Sequence, residues 1–198
     1  MAAPTFATDV PKGSDLVKKY SADIAGKVIL TTGVSPGGLG GHFVEAIAAA
    51  DPALLILAGR SPAKTQATAD RLKELYPSVP IRTLQLDLES LAAVRAAADT
   101  VNGWDSVERI DVVVNNAGIM AVPYAATTDG YERQFATNHL GPFLFTNLIM
   151  GKLLASKAPR VVMVTSLGHT LHPIRWGDIH FDVGPPTHNT EQTSGDIG

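Results

Sequence analysis

Thr32-Gly33-Val34-Ser35-Pro36-Gly37-Gly38-Leu39-Gly40 follows directly on the apolar run Val28-Ile29-Leu30, and an apolar helical pattern beginning near Phe43 comes after it. A strand that runs into a glycine-rich turn and then a helix has a specific physical use. Glycine permits a tight turn with positive φ and lets backbone approach a pyrophosphate closely, while the free N–H groups of the helix start face the anion. The same residues also suit a strand-to-helix turn that binds nothing, so the loop alone does not decide function. It does set the parsing of the chain into alternating strands and helices.

From Lys27 onward, short runs of Val, Ile and Leu alternate with longer amphipathic segments. This pattern predicts strands over 27–32, 53–58, 81–86, 110–115 and 160–165. The continuous Val112-Val113-Val114 and Val161-Val162-Met163-Val164 runs suit strands covered by helices on both faces, so an α/β fold with a parallel sheet is expected. Ser61-Pro62 places a capping serine before a first-turn proline and predicts a helix to about Tyr76. In the next helix Leu91, Val94, Ala98 and Val101 recur at helical spacing, and Asn102-Gly103 supplies the stop. The longest helix is expected over 129–156, bent at Gly141-Pro142.

Composition narrows the classes of function. The chain has 198 residues, 45% of them apolar, and a net charge of -3, enough for one domain with a sizeable core. It has no Lys/Arg run, so there is no electrostatic footprint for nucleic acid or an anionic membrane, and a small molecule is the expected partner. The absence of cysteine excludes disulfides, thiolate metal sites and a cysteine nucleophile. No stretch is long and apolar enough to span a membrane and residues 1–13 do not read as a secretory signal, so a cytoplasmic setting is expected. The expected organisation is an N-terminal extension with a short helix over 1–25, a partial dinucleotide-binding domain over 26–181 and a flexible tail over 182–198, whose composition buries too little to order itself.

The corner after the second strand gives the sharpest chemical cue. Dinucleotide sites for NAD usually carry an acid about 20 residues past the glycines, to bind the ribose 2′-OH. Here that corner reads Ala58-Gly59-Arg60. A guanidinium there pairs bidentately with a 2′-phosphate, which points to NADP (NADPH), and Lys64 adds a second cation.

The glycine loop is joined by Asp87-Leu88 and by Asn115-Asn116-Ala117-Gly118, and with these three motifs the chain resembles the short-chain dehydrogenase/reductase family. The tract from Asn115 to Thr146 looks most like its retinol-dehydrogenase-like branch. The resemblance covers about 26–181 and implies a Rossmann-like, doubly wound sheet ordered 3-2-1-4-5, incomplete at the C-terminal end, in an NADP(H)-dependent oxidoreductase acting on a carbonyl or alcohol. It implies cofactor-binding roles for Gly33, Ser35, Gly38, Leu39, Gly40, Arg60, Lys64, Asp87, Leu88, Asn115, Ala117 and Gly118, with Asp87 holding the adenine. The loop has one residue more than the usual Thr-Gly-x-x-x-Gly-x-Gly, so either Gly37 or Gly38 takes the middle-glycine role.

Two catalytic positions carry over. Asn138, in Asn138-His139-Leu140-Gly141-Pro142, matches the family's helix-borne asparagine; Pro142 has no N–H, which frees the Asn138 carbonyl to hold a water. Ser166, at the carboxyl end of the fifth strand, matches the serine that polarises the substrate oxygen. The Tyr-x-x-x-Lys that the family requires next is not in this sequence, where no tyrosine follows Tyr131 and no lysine follows Lys157. The alternative is therefore a truncated, catalytically incompetent cofactor-binding or partner-binding remnant. Self-association through the 129–156 helix is a further expectation. His169, His172 and His180 read as polar loop residues, with no metal site expected.

Overall fold

The structure, a computed structural model, describes residues 10–170, 173–179 and 181. The expected 182–198 tail, His172 and His180 lie outside them. In chain order the helices are α1 (Gly13–Lys19), α2 (Ser21–Ile24), α3 (Leu39–Ala48), α4 (Pro62–Leu75), α5 (Leu91–Asn102), α6 (Arg133–Phe135), α7 (Gly141–Leu148) and α8 (Met150–Leu154). The strands are β1 (Val28–Thr32), β2 (Leu54–Gly59), β3 (Ile81–Gln85), β4 (Val112–Asn115) and β5 (Arg160–Met163). They form one parallel sheet in the order β3-β2-β1-β4-β5, as the resemblance implied.

Each face of the sheet carries its own apolar layer. Leu30, Ile56 and Val113 on one face meet Val94, Val101, Phe145 and Ile149 from α5, α7 and the turn after it, all buried. Ile29, Leu55, Leu57 and Val114 on the other meet Val44, Ile47, Ala69 and Leu72 from α3 and α4. Alternate residues of one strand therefore feed both cores, which is why β1, β2 and β4 read as unbroken aliphatic runs. Val17 of α1 and Ile24 of α2 pack on the second core, so the described part of the N-terminal extension is attached to it.

Local signals act as the sequence suggests in α4 and α5. Ser61 Oγ accepts the Lys64 N–H and Ser90 Oγ accepts that of Ala93, each satisfying a donor at a helix start. The 129–156 helix needs correction. It begins only at Arg133, because Gly130 sits at φ +82° and Asp129 turns away to accept the Leu91 N–H at 2.9 Å, while the buried Glu132 carboxylate caps Gln134 and Phe135. It is then interrupted by a π-turn at Ala136–Leu140, in which the Gly141 N–H reaches Ala136 O, and again at Ile149. Pro142 withholds the ordinary i→i+4 donor, and an i→i+5 turn is one way to absorb that loss.

The expectation that Val161–Val164 would be covered on both faces is not met among the described residues. Val161, Val162, Met163 and Val164 are 45%, 44%, 52% and 49% exposed, since no helix among the described residues lies over β5. The apolar face of the long helical segment is by contrast mostly spent, with Phe145, Ile149 and Leu153 buried and Phe143 exposed. That leaves little of it for self-association.

Asp111 fastens the other end of the sheet. Its buried carboxylate accepts the Val28 N–H (2.9 Å), the Ser156 hydroxyl (2.6 Å) and Arg109 Nε (3.1 Å), joining the starts of β1, β4 and β5. Burial pushes its pKa up, but the hydrogen bonds from Ser156, Val28 and Arg109 outweigh this and hold it below the ordinary value. A carboxylate lowered in the folded state stabilises above the unfolded pKa, and that contribution is lost as pH falls through the folded pKa. Asp111→Ala is expected to cost about 3 kcal/mol at pH 7, by analogy with broken buried pairs, and less below about pH 4. Urea denaturation of both proteins at the two pH values checks this; an equal deficit at both would contradict the linkage.

Candidate functional site

The carboxyl ends of β1 to β4 open onto a cleft of about 380 Å³. Open α/β sheets place ligands here, where the strand order reverses on either side of β1. Gly33, Ser35 and Leu39 form one wall, and Ala117, Gly118 and Ile119 after β4 form another. Arg60 and Lys64 stand at the β2 corner and Asp87 and Leu88 after β3. The cleft thus joins most of the residues singled out in the sequence.

Close packing explains the glycines. Gly33 has φ +75°, and a Cβ on it would lie 2.7 Å from the Ala117 Cα. A Cβ on Gly40 would lie 2.5 Å from Asn116 Nδ2 and 2.6 Å from Gly33 O, so α3 can approach the loop only with glycine there. Gly38, the residue before α3, has ordinary φ, while Gly37 takes the left-handed conformation at +73°. Gly38 and Gly40 lie behind the loop and do not line the cleft.

Hydrogen bonds lock the two walls together. Thr32 Oγ1 accepts the N–H groups of Asn116 (3.1 Å) and Ala117 (3.0 Å), and Asn116 Nδ2 donates to Thr32 O at 2.9 Å. Both residues belong to motifs quoted above, yet neither was singled out for this task. Asn115 is buried beneath the cleft, where Nδ2 donates to Thr146 Oγ1 at 3.0 Å and reaches Met163 Sδ at 3.1 Å. It ties β4 to α7 and β5 and does not line the cavity.

Asn138 sits in the π-turn with its side chain doubly bonded to Ile119, accepting its N–H and donating to its carbonyl, both at 2.8 Å. The helix is thereby clamped to the loop after β4. Ser166 is exposed after β5; its Oγ accepts the Gly168 N–H at 3.1 Å and its carbonyl lies 2.7 Å from His169 Nδ1. Neither Asn138 nor Ser166 lines the cleft. Thr137, which sequence reasoning missed, does line it, and its Oγ1 is buried without a hydrogen-bond partner.

The residues fit a dinucleotide. A loop held close by Gly33 and Gly40, whose Cβ atoms would collide with Ala117, Asn116 or the Gly33 carbonyl, an unpartnered Thr137 hydroxyl at the cavity wall and two cations at the β2 corner are all compatible with such a ligand. Among the described residues, no group of histidines and carboxylates is arranged to hold a metal ion, and no helix is long and apolar enough to cross a membrane.

Fold and cleft together define a dinucleotide-binding α/β protein. The family model for short chain dehydrogenases matches residues 27–176, and the chain belongs to that family, on its retinol-dehydrogenase-like side. It is 37% identical over 175 residues to the oxidoreductase fscI of Fusarium equiseti, an alignment spanning 86% of this chain and 67% of that one. Human retinol dehydrogenase 13 is 36% identical over 160 residues, 81% of this chain and 47% of its own. The Pseudomonas aeruginosa RhlG/NADP active-site complex superposes with a TM-score of 0.57 at 26% identity, over 70% of this chain and 54% of that one. The chain thus spans about half to two thirds of the length of these relatives. The family is one of oxidoreductases that use nicotinamide cofactors.

Proposed function

We propose that this chain is the NADP(H)-binding part of an oxidoreductase acting on a carbonyl or alcohol. The observation that carries this reading is the β2 corner, where Gly59 is followed by Arg60 in the lining of the cleft and the chain carries an arginine where an NAD site would carry an acid at the end of β2. The RhlG complex with NADP is a supporting parallel. When bound, the nicotinamide supplies hydride-transfer chemistry.

The chain's own residues position that group. The backbone of Gly33, Ser35 and Leu39 cradles the pyrophosphate, aided by the N-terminal end of α3, while Gly38 and Gly40 behind the loop let α3 pack close enough to hold that shape. Arg60 and Lys64 receive the 2′-phosphate, and Asp87 and Leu88 border the adenine. Ala117 and Gly118 line the far wall, with Asn115 fixing the strand end beneath them. Asn138 and Ser166 serve the substrate end, Ser166 as a hydrogen-bond donor to the substrate oxygen.

The test is a fluorescence titration with NADPH and NADH. NADPH is expected to bind more tightly, and Arg60→Ala to remove about ten-fold of that preference, on the order of 1.4 kcal/mol. Equal affinities for the unaltered protein would overturn the cofactor assignment.

A further inference from the structure

The guanidinium assigned to the 2′-phosphate does not stand alone. Glu89 lies between two arginines: its Oε1 is 2.9 Å from Arg133 Nε and its Oε2 is 3.4 Å from Arg60 Nη1. The two contacts differ in kind. The first has the length of a charge-assisted hydrogen bond, while the second exceeds the usual N–H···O range. Exposure follows the same order, since the Arg60 side chain is 67% exposed, that of Arg133 38% and that of Glu89 23%. Glu89 is itself held near the cleft, because its N–H donates to Asp87 Oδ1 at 3.1 Å. Arg133 is fixed from the other side, its N–H donating to Ala125 O at 2.9 Å at the start of α6.

We propose that Arg133, acting through Glu89, is a positioning residue for cofactor specificity: it neutralises the carboxylate that would otherwise engage Arg60, and so keeps Arg60 available to a 2′-phosphate. The inference rests on the NADP(H) reading. Two negative groups compete for Arg60, the Glu89 carboxylate and the incoming phosphate dianion. With Arg133 in place the carboxylate has a nearer partner, and the long Arg60 contact is one that solvent and ligand readily displace. Without Arg133 the carboxylate turns wholly to Arg60, and a 2′-phosphate must displace it against an added negative charge.

Calorimetric titration of the full chain with 2′,5′-ADP and with 5′-AMP tests this, because these probes differ only in the 2′-phosphate and need only the adenosine end of the cleft. Arg133→Gln is expected to lower the ratio of the two affinities about five-fold, through 2′,5′-ADP alone. Glu89→Gln should raise it about two- to five-fold, and the Glu89→Gln/Arg133→Gln pair, which restores the local charge sum, should return it to within about two-fold of the starting value. In an Arg60→Ala background Arg133→Gln should leave the ratio unchanged. Equal losses for both probes would mark Arg133 as structural only and overturn the proposal, as would an unchanged ratio in both Arg133→Gln and Glu89→Gln. If the unaltered chain shows no preference for 2′,5′-ADP, the NADP(H) reading itself fails. A preference that Arg60→Ala abolishes but Arg133→Gln leaves intact defeats only the role of Arg133.

Discussion

Gly40→Ala is expected to abolish measurable NADPH binding, a loss of at least about 100-fold, while Gly151→Ala leaves it unchanged. One methyl group separates each pair, and location decides the outcome. At Gly40 the new Cβ would lie within 2.6 Å of both Asn116 Nδ2 and Gly33 O, two groups that hold the glycine loop against the wall after β4. Neither can yield without breaking the Thr32–Asn116 lock, so α3 must move off the loop. Overpacking of this kind typically costs about 1–3 kcal/mol of stability, and misplacing the cradle costs binding as well. At Gly151, in α8, nothing lies within 4 Å of the added atom, and alanine's helix propensity should stabilise by roughly 0.5–1 kcal/mol. Cofactor titration beside thermal denaturation separates the two effects. Retained binding in Gly40→Ala would mean that the loop is not the cradle.

The second large effect concerns turnover. The 198-residue polypeptide, given NADPH and a panel of aldehydes and ketones, is expected to reduce them about 10²- to 10⁴-fold more slowly than a version extended with a Tyr-x-x-x-Lys segment. The family places its proton donor on that tyrosine, and no tyrosine follows Tyr131 here. Ser166 remains to polarise a carbonyl, since its Oγ accepts the Gly168 N–H and keeps its own proton to donate, but it is exposed and supplies no general acid. His169 is the titratable side chain in contact with the Ser166 backbone. Its Nδ1 faces the Ser166 carbonyl, so that nitrogen carries the proton and donates it in place. Absorbance at the NADPH band follows both versions. Comparable rates would overturn the expectation and direct attention to His169.

The sequence was most legible where one residue's chemistry suffices. All five strands were located to within two residues at every end, and most plainly β1, β2 and β4, because residues that feed two cores must be aliphatic at every position. The glycines and Arg60 could be singled out as cofactor candidates because backbone approach and phosphate pairing admit few alternatives, whereas Asp87 came only through the family resemblance; Gly33, Arg60 and Asp87 all line the cleft. Pairings that exist only in the folded chain were not legible. Glu89 and Arg133 are 44 positions apart, and Asp129 caps a helix that starts 38 positions before it. Thr137 lies beside the motif asparagine without any motif role of its own, and its buried hydroxyl becomes conspicuous only against the cavity. Pro142 announced a defect in the helix but not that a wider turn would absorb it. The valines of β5 state what the strand prefers, not what lies over it.

Those uncovered valines grade the sheet in free energy from one side to the other. Releasing β1 would dissolve both apolar layers at once, since its residues feed each of them. Among the described residues, releasing β5 sacrifices one ladder, to β4, and little burial. Within the described sheet, opening is therefore cheapest at the strand that ends beside Ser166. The dinucleotide cleft draws on β1 to β4 and stays formed through such fluctuations, while the substrate end shares the motion of its strand. Recognition and chemistry then rest on parts of one sheet that differ in rigidity, and only the second depends on β5 staying in register.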